Sequence, residues 1–473
     1  MRTSNTLAVA TTLLCANAIQ LSKRTDGSAP RVVQHEIQRR HVSNPVARDQ
    51  ARMRRRQSNT VTVQLDNEET LYFMNMSIGT PAQDLRLHRD TGSSDLWVNA
   101  PPSEICTATG DLCAASGTYS ANSSTSYQYL NGEFNITYVD GTGSAGDYVS
   151  DDVTFGGVTL QNQQFGIGYT STSQEGVLGI GYALNEVAVA YNGGSTYNNI
   201  PKTMVANQLI NVNAYSLWLN DLDASTGSIL FGGVNTDKYT GELQSVPVIQ
   251  TQGVYAEFII ALTAVGVNGT SGSLAKNVAY PALLDSGSSL MYLPNDITQQ
   301  IYDNVGAQYD SSQGAAFVDC DLANSKSTID FTFSSPTISV GMNELVIVAG
   351  IDKGEPICIL GISPAGDSTP VLGDTFLRSA YVVYDLQNNE IALASTNFNS
   401  TSSHIVEFTA GSGIPDATVV SNAVTSVAVE SGGARNIDQP TGLTSTAFAM
   451  PTAAVGYNVA LLGAVGAGLA FAM

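Results

Sequence analysis

Two stretches of this chain are near copies of each other, although one centres on Asp90 and the other on Asp285. The first reads Leu87-His88-Arg89-Asp90-Thr91-Gly92-Ser93-Ser94-Asp95-Leu96-Trp97-Val98. The second reads Leu283-Leu284-Asp285-Ser286-Gly287-Ser288-Ser289-Leu290-Met291-Tyr292-Leu293. Each is an apolar strand, an Asp, a small hydroxyl residue, Gly, two Ser and more apolar residues. Glycine permits backbone angles that other residues resist, so each Asp can sit on a sharp loop with its carboxylate presented outward. The flanking hydroxyls and backbone N–H groups can hold an ionised carboxylate by hydrogen bonding.

The duplication extends past the turns. Val177-Leu178-Gly179-Ile180-Gly181 follows the first, and Val371-Leu372-Gly373-Asp374-Thr375 follows the second. Gly179 lies 89 positions after Asp90, and Gly373 lies 88 positions after Asp285. One Asp-Thr-Gly alone would read as a turn with a solvated carboxylate. Four elements in register argue instead for two similar lobes, each contributing one Asp, and not for a short-period solenoid.

From Thr60 to Asn397 the chain is strand-like: β-branched and aromatic runs such as Tyr72–Ile78 and Tyr381–Asp385, cut by Gly, Asn, Ser and Asp. A helix is expected from Asn295 to Gln308, after Pro294. The fold class is therefore mainly antiparallel all-β. Paired Asp-Thr/Ser-Gly motifs, each followed by an apolar-apolar-Gly segment, resemble the pepsin-type aspartic proteases from about Tyr72 to Ala394. The resemblance implies a bilobal fold with its cleft between the lobes, here 57–240 and 241–400, and a boundary near Gly241. It implies an aspartic endopeptidase acting on extended peptides or proteins, with Asp90 and Asp285 as the catalytic pair. Two carboxylates held together cannot both ionise easily, so they share a proton across an acidic range. One can then act as general base on a water while the other donates to the scissile carbonyl oxygen. No metal, cofactor or covalent intermediate is required. Only His88 and His404 lie beyond residue 57, which excludes a three-His zinc site and leaves few partners for a Ser-His-Asp triad.

Thr91, Gly92, Ser93, Ser286, Gly287 and Ser288 are expected to support the two turns, Ser93 and Ser288 by bonding the carboxylates or by satisfying turn backbone. Phe134 to Ser144 reads as a hairpin with a Gly-rich tip and resembles the family's mobile flap. Tyr138 matches the flap tyrosine, Asp140 and Thr142 are candidate substrate contacts, and Trp97 matches a supporting tryptophan. As residues alone they would also fit a surface hairpin and a core side chain. Arg89 departs from the pattern, since this strand position is usually apolar in the family, as Leu284 is in the second copy. A buried cation there is costly unless paired, and it would favour ionised Asp90. Strand alternation could instead turn it to the opposite face. An inactive relative, altered pH behaviour and a harmless variant all remain open at this level.

The charge is unevenly distributed. The formal net charge is −21, yet residues 1–57 hold 11 Lys/Arg and 3 Asp/Glu, leaving 9 basic against 38 acidic residues in the remainder. A body of formal charge −29 argues against nucleic-acid binding and is compatible with an acidic medium. Arg2, the apolar run Leu7–Ala16 and Ala16-Asn17-Ala18 read as a secretory signal over 1–18, too short to span a bilayer. Residues 19–56, with Lys23-Arg24, Arg39-Arg40 and Arg54-Arg55-Arg56, read as a basic propeptide cut near Arg56, or otherwise as a solvated tail. The resemblance implies that it blocks the cleft, held there by charge until acid loosens it.

Candidate glycosylation acceptors are Asn75, Asn122, Asn135, Asn268 and Asn399. Cys15 leaves with the signal, and the other four cysteines permit three pairings. Cys106–Cys113 with Cys320–Cys358 keeps each bridge within one lobe, the pairing the resemblance also implies, and places the chain in an oxidising compartment. After about Asn399 small and hydroxylated residues dominate, and 401–431 reads as a Ser/Thr-rich stalk. The apolar end Val455–Met473, behind small residues at Ser431-Gly432-Gly433, reads as a GPI-attachment signal over 432–473, with Ser431 or Gly432 as the attachment residue. A C-terminal transmembrane helix is the competing reading, though no basic residue follows the run. The expected protein is a monomer, secreted to the cell surface and held to the plasma membrane by its lipid anchor or to the wall, where glucan is a further expected partner. It is most like fungal GPI-anchored, yapsin-like endopeptidases. The alternatives are a catalytically silent pepsin-fold protein that binds peptides or glycans, and a two-carboxylate glycosidase, which needs carboxylates about 5 Å or more apart.

Overall fold

The computed structural model describes residues 20–21, 30–40 and 71–427, except 109, 111, 139–142, 193–194, 225, 252 and 353. The signal segment, most of 19–56, Asp140 and Thr142 of the flap tip, and the attachment region with Ser431 and Gly432 lie outside the described residues. Among the described residues no helix is long and apolar enough to cross a membrane.

Each lobe is built on the same threading of three strands. Gln83–Asp90 leads into the first turn, Leu96–Asn99 leaves it, and Val177–Gly179 runs between them. The inserted strand pairs in parallel with the first, Asp90 opposite Gly179, and antiparallel with the second, Leu96 opposite Leu178. In the second lobe Val371–Leu372 pairs in parallel with Thr270–Leu284 and antiparallel with Met291–Leu293. The near-equal spacings of the duplicated motifs thus have a physical cause. Each turn needs a later strand to return between its two arms.

The returning strand must carry Gly where it meets the turn. A Cβ on Gly179 would stand 2.6 Å from the backbone nitrogens of Ser94 and Asp95, and one on Gly373 2.3 Å from the Leu290 carbonyl oxygen. No real Cβ tolerates such contacts, so the apolar-apolar-Gly signature is a packing requirement.

One 14-stranded sheet joins the lobes, running from the hairpin strand Gln128–Thr137 to Ala417–Val419. A 7-stranded and a 4-stranded sheet complete the second lobe. Gly241 lies in Tyr239–Pro247, a strand of the joining sheet. Within that sheet Val33–Arg40 lies between Thr226–Phe231 and Leu71–Ile78. The described part of the basic N-terminal segment is therefore an inner strand bonded on both sides, where charge alone was the expected hold. Ile37 and Val33 alternate inward into the main core, as a half-buried strand requires.

The expected helix runs Asn295–Val305 and stops early, because Gly306 takes a left-handed conformation (φ 74°) as its C-cap. Ile297, Ile301 and Tyr302 form its buried face. A second difference concerns the stretch read as a stalk from 401. Residues up to 427 belong to the folded body. His404–Glu407 pairs with Gly233–Asn235, and Ala417–Val419 extends the joining sheet beside Tyr239–Pro247. Val424 and Val427 pack on an apolar cluster of the second lobe. Sparse apolar residues, Ile405, Phe408 and Ile414, suffice to pin this segment because each is buried.

Candidate active site

The two turns meet with nearly mirror-image hydrogen bonding. Gly92 N–H donates to Asp90 Oδ1 (2.8 Å) and Ser93 Oγ to Asp90 Oδ2 (2.6 Å). Gly287 N–H donates to Asp285 Oδ1 (2.8 Å) and Ser288 Oγ to Asp285 Oδ2 (2.7 Å). Both oxygens of each carboxylate thus accept a hydrogen bond within its own turn. Both Asp residues are fully buried. A Cβ built on Gly287 would stand 2.4 Å from Asp90 Oδ1 and 3.0 Å from Asp285 Oδ1, so both oxygens converge on the open face of this glycine.

The turns also clasp each other. Thr91 N–H donates to Ser286 Oγ (3.0 Å), and Ser286 N–H donates to Thr91 Oγ1 (2.9 Å). Thr91 Oγ1 in turn donates to the Leu284 carbonyl (2.9 Å). A small hydroxyl residue after each Asp is what makes this exchange possible. The clasp ties the two Asp-bearing turns directly to each other.

The expected hairpin is formed by Gln128–Thr137 and Gly143–Phe155, Thr137 paired with Gly143 next to the undescribed tip. Tyr138 is buried at its end and accepts a hydrogen bond from Trp97 Nε1 (2.5 Å). Trp97 is thus both core and hairpin support: it packs with Phe134, Ile136, Tyr138 and Tyr148 in one cluster.

Several contributors carried no sequence signal of their own. Asn185 Nδ2 donates to the Gly92 carbonyl (3.1 Å), bracing the first turn from 93 residues away. Asp95 is fully buried and accepts from Tyr148 (2.7 Å), Tyr197 (2.9 Å) and Val187 N–H (2.8 Å), while burial raises its pKa. Glu186 lies beside it and accepts from Tyr197 N–H (2.8 Å). Burial and the Asp95 charge push the Glu186 carboxyl up to about 9. Two acids thus sit behind the hairpin wall, joined through Tyr197.

Arg89 is fully buried, and among the described residues none of its three guanidinium nitrogens has a hydrogen-bond partner. The face opposite Asp90 is sealed as thoroughly as the cleft side, because residues 87–90 are all buried. Disulfides join Cys106 to Cys113 and Cys320 to Cys358. Asn75, Asn122, Asn135, Asn268 and Asn399 are all exposed, although the Asn399 side-chain nitrogen already donates to Asp221.

Comparison with known proteins gives one answer at several levels. The family model described as eukaryotic aspartyl protease matches residues 71–396. A probable aspartic-type endopeptidase, opsB, of Aspergillus oryzae is 58% identical over 421 residues, covering 87% of this chain and 86% of that one. Candidapepsin-3 of Candida albicans is 37% identical over 359 residues, covering 74% of this chain and 85% of its own. The crystal structure of the aspartic proteinase from Irpex lacteus superposes with a TM-score of 0.59 at 20% identity, covering 78% of this chain and 99% of that one. This last likeness concerns the fold.

Proposed function

The chain belongs to the eukaryotic aspartyl protease family and is an aspartic-type endopeptidase, and we propose that Asp90 and Asp285 are the pair that cleaves the peptide bond. The observation that carries this reading is the convergence of Asp90 Oδ1 and Asp285 Oδ1 on the open face of Gly287. A water held there loses its proton to one carboxylate as it attacks the scissile carbonyl. The other carboxyl, protonated, donates to the carbonyl oxygen, and a proton passes to the leaving nitrogen. The pair titrates as a unit, so the starting proton belongs to both. Ser93, Ser288, Gly92 and Gly287 orient the carboxylates, and Thr91 with Ser286 ties their turns together. The Tyr138 hairpin covers an extended peptide and excludes water from it.

The finer reading is a secreted enzyme working in acid at the cell surface. Its supports are the N-terminal signal pattern, the body's formal charge of −29 and the small-residue, apolar C-terminal end that suits a lipid anchor. Removal of residues 19–56 after Arg56 would withdraw the Val33–Arg40 strand from the joining sheet, so processing and activity are coupled in this reading. A silent, peptide-binding protein draws its support from buried Arg89, but both carboxylates keep a full set of donors.

The test is endopeptidase activity of the secreted protein on an unstructured substrate across acidic pH, with Asp285→Asn beside it. Loss of at least about 10³-fold in kcat/KM, with the melting temperature kept, is the expected outcome. Comparable activity in Asp285→Asn would sink the paired-carboxylate mechanism.

A further inference from the structure

Behind the paired carboxylates lies a second, sealed layer of charge, and Arg89 is at its centre. The strand register pairs Phe73 with His88, so the next position sets Tyr72 opposite Arg89. On its other side Tyr72 is opposite Arg39 of the N-terminal strand. Arg39, Tyr72 and Arg89 therefore form one cross-strand row, and paired residues across a sheet share a face. Tyr215 and Tyr384 stack at 5.0 Å on neighbouring strands, and the Arg89 charge acts on both. The same two rings feel the carboxylates: Tyr215 that of Asp90, Tyr384 that of Asp285. The stacked tyrosines therefore lie within electrostatic reach of the guanidinium and of both carboxylates.

The remaining charged groups of the layer can be named element by element. The helix Asp374–Leu377 brings buried Asp374, and Arg378 follows it. Glu344, from the short helix Met342–Leu345, holds Arg378 in an ion pair at 2.6 Å. That pair is internally neutral. The Asp374 carboxyl acts on both Tyr72 and Tyr384, raising them. Arg39 adds a positive charge while the N-terminal strand is in place. Once that strand leaves, Arg89 remains as a buried cation with no hydrogen-bonded carboxylate of its own among the described residues.

We propose that Arg89 is a positioning residue that sets the working pH: its buried guanidinium keeps the Asp90/Asp285 pair singly ionised at lower pH than an apolar residue there would. This rests on the paired-carboxylate reading. A nearby cation favours each ionisation of the pair, so both limbs of the activity bell move toward acid. The second turn, with Leu284 in the corresponding position, supplies no such bias.

The experiment is the pH profile of kcat/KM for the full-length chain, allowed to mature, as wild type, Arg89→Leu, Arg89→Met and Arg89→Lys. In the Leu and Met variants both limbs should move up by about one pH unit, roughly tenfold in kcat/KM at a fixed pH on either limb. Arg89→Lys should keep the wild-type profile, because it keeps the charge. A role confined to packing would change amplitude or thermal stability and leave the limbs in place. Unmoved limbs in whichever of the Leu and Met variants folds, or a folded variant inactive at every pH, would overturn the proposal. Substantial activity in Asp285→Asn would instead overturn the paired-carboxylate reading itself, so the two failures are distinguishable.

Discussion

The two turns that carry Asp90 and Asp285 are alike in front and different behind. In front, each carboxylate accepts from a Gly N–H and a Ser hydroxyl at nearly the same distances. Behind, the first turn is flanked by Arg89 and Asp95, where the second has Leu284 and Leu290. All four are buried. The placement of the carboxylates therefore depends on backbone, Gly and hydroxyl groups, and the positions flanking each Asp were free to become charged in one turn and stay apolar in the other. A buried ionic layer adds little stability over an apolar one, but it makes a lobe responsive to pH. The first turn should be the more responsive of the two.

The shared half of the comparison breaks most severely at the returning strands. Gly179→Ala and Gly373→Ala each drive a Cβ into backbone at 2.3–2.6 Å, where no side chain can yield. Each should cost about 3 kcal/mol or more, read from chemical denaturation, and the two losses should be similar. A mild effect in either would show that its lobe can open the threading cheaply.

The differing half is sharpened by Glu186→Gln. The Glu186 carboxyl is raised in the folded protein to about 9 from an ordinary 4.5. Its contribution to stability is fully present below the unfolded value and is lost as pH rises toward the folded one. Wild type should thus weaken between about pH 4.5 and 9, and Glu186→Gln should lessen that decline by roughly 2 kcal/mol or more. Melting curves at pH 4 and pH 8 check it. An unchanged decline would move the pH response elsewhere.

The smallest expected effect tests the likeness in front. Ser93→Ala and Ser288→Ala each remove a hydroxyl donor from the outer oxygen of one carboxylate. Each should lower kcat/KM by about tenfold, corresponding to one hydrogen bond to a charged group, and lift the acid limb slightly. A large difference between the two would mean that the carboxylates are not interchangeable in their support.

Much of this was legible in the sequence because it is local or duplicated. Asp, hydroxyl residue, Gly and Ser lie within four positions, and the returning Val-Leu-Gly recurs at matched distances. The helix from Asn295 could be read because Pro294 marks its start, though the expected end at Gln308 lies past the left-handed Gly306 that sets it. What escaped is assembled from distant, individually ordinary residues. Asp95, Tyr148, Glu186 and Tyr197 are unremarkable until the hairpin and the Val187 helix bring them together. The packing of 404–427 escaped for another reason: its composition is that of a spacer, and only a few well-placed side chains tie it down. The inner position of Val33–Arg40 could not be read from its basic composition, since backbone pairing is indifferent to side-chain charge.

The threading described above also orders events in time. Asp90 cannot be fixed on its turn until the strand ending at Gly179 has been made and has come back to it, and Asp285 must wait likewise for Val371–Leu372. Closing loops of this length is slow relative to local turns and hairpins, so each turn stays loose while its lobe is being synthesised. The clasp between Thr91 and Ser286 comes later still, because it needs both lobes. The site is therefore among the last parts of the chain to take shape.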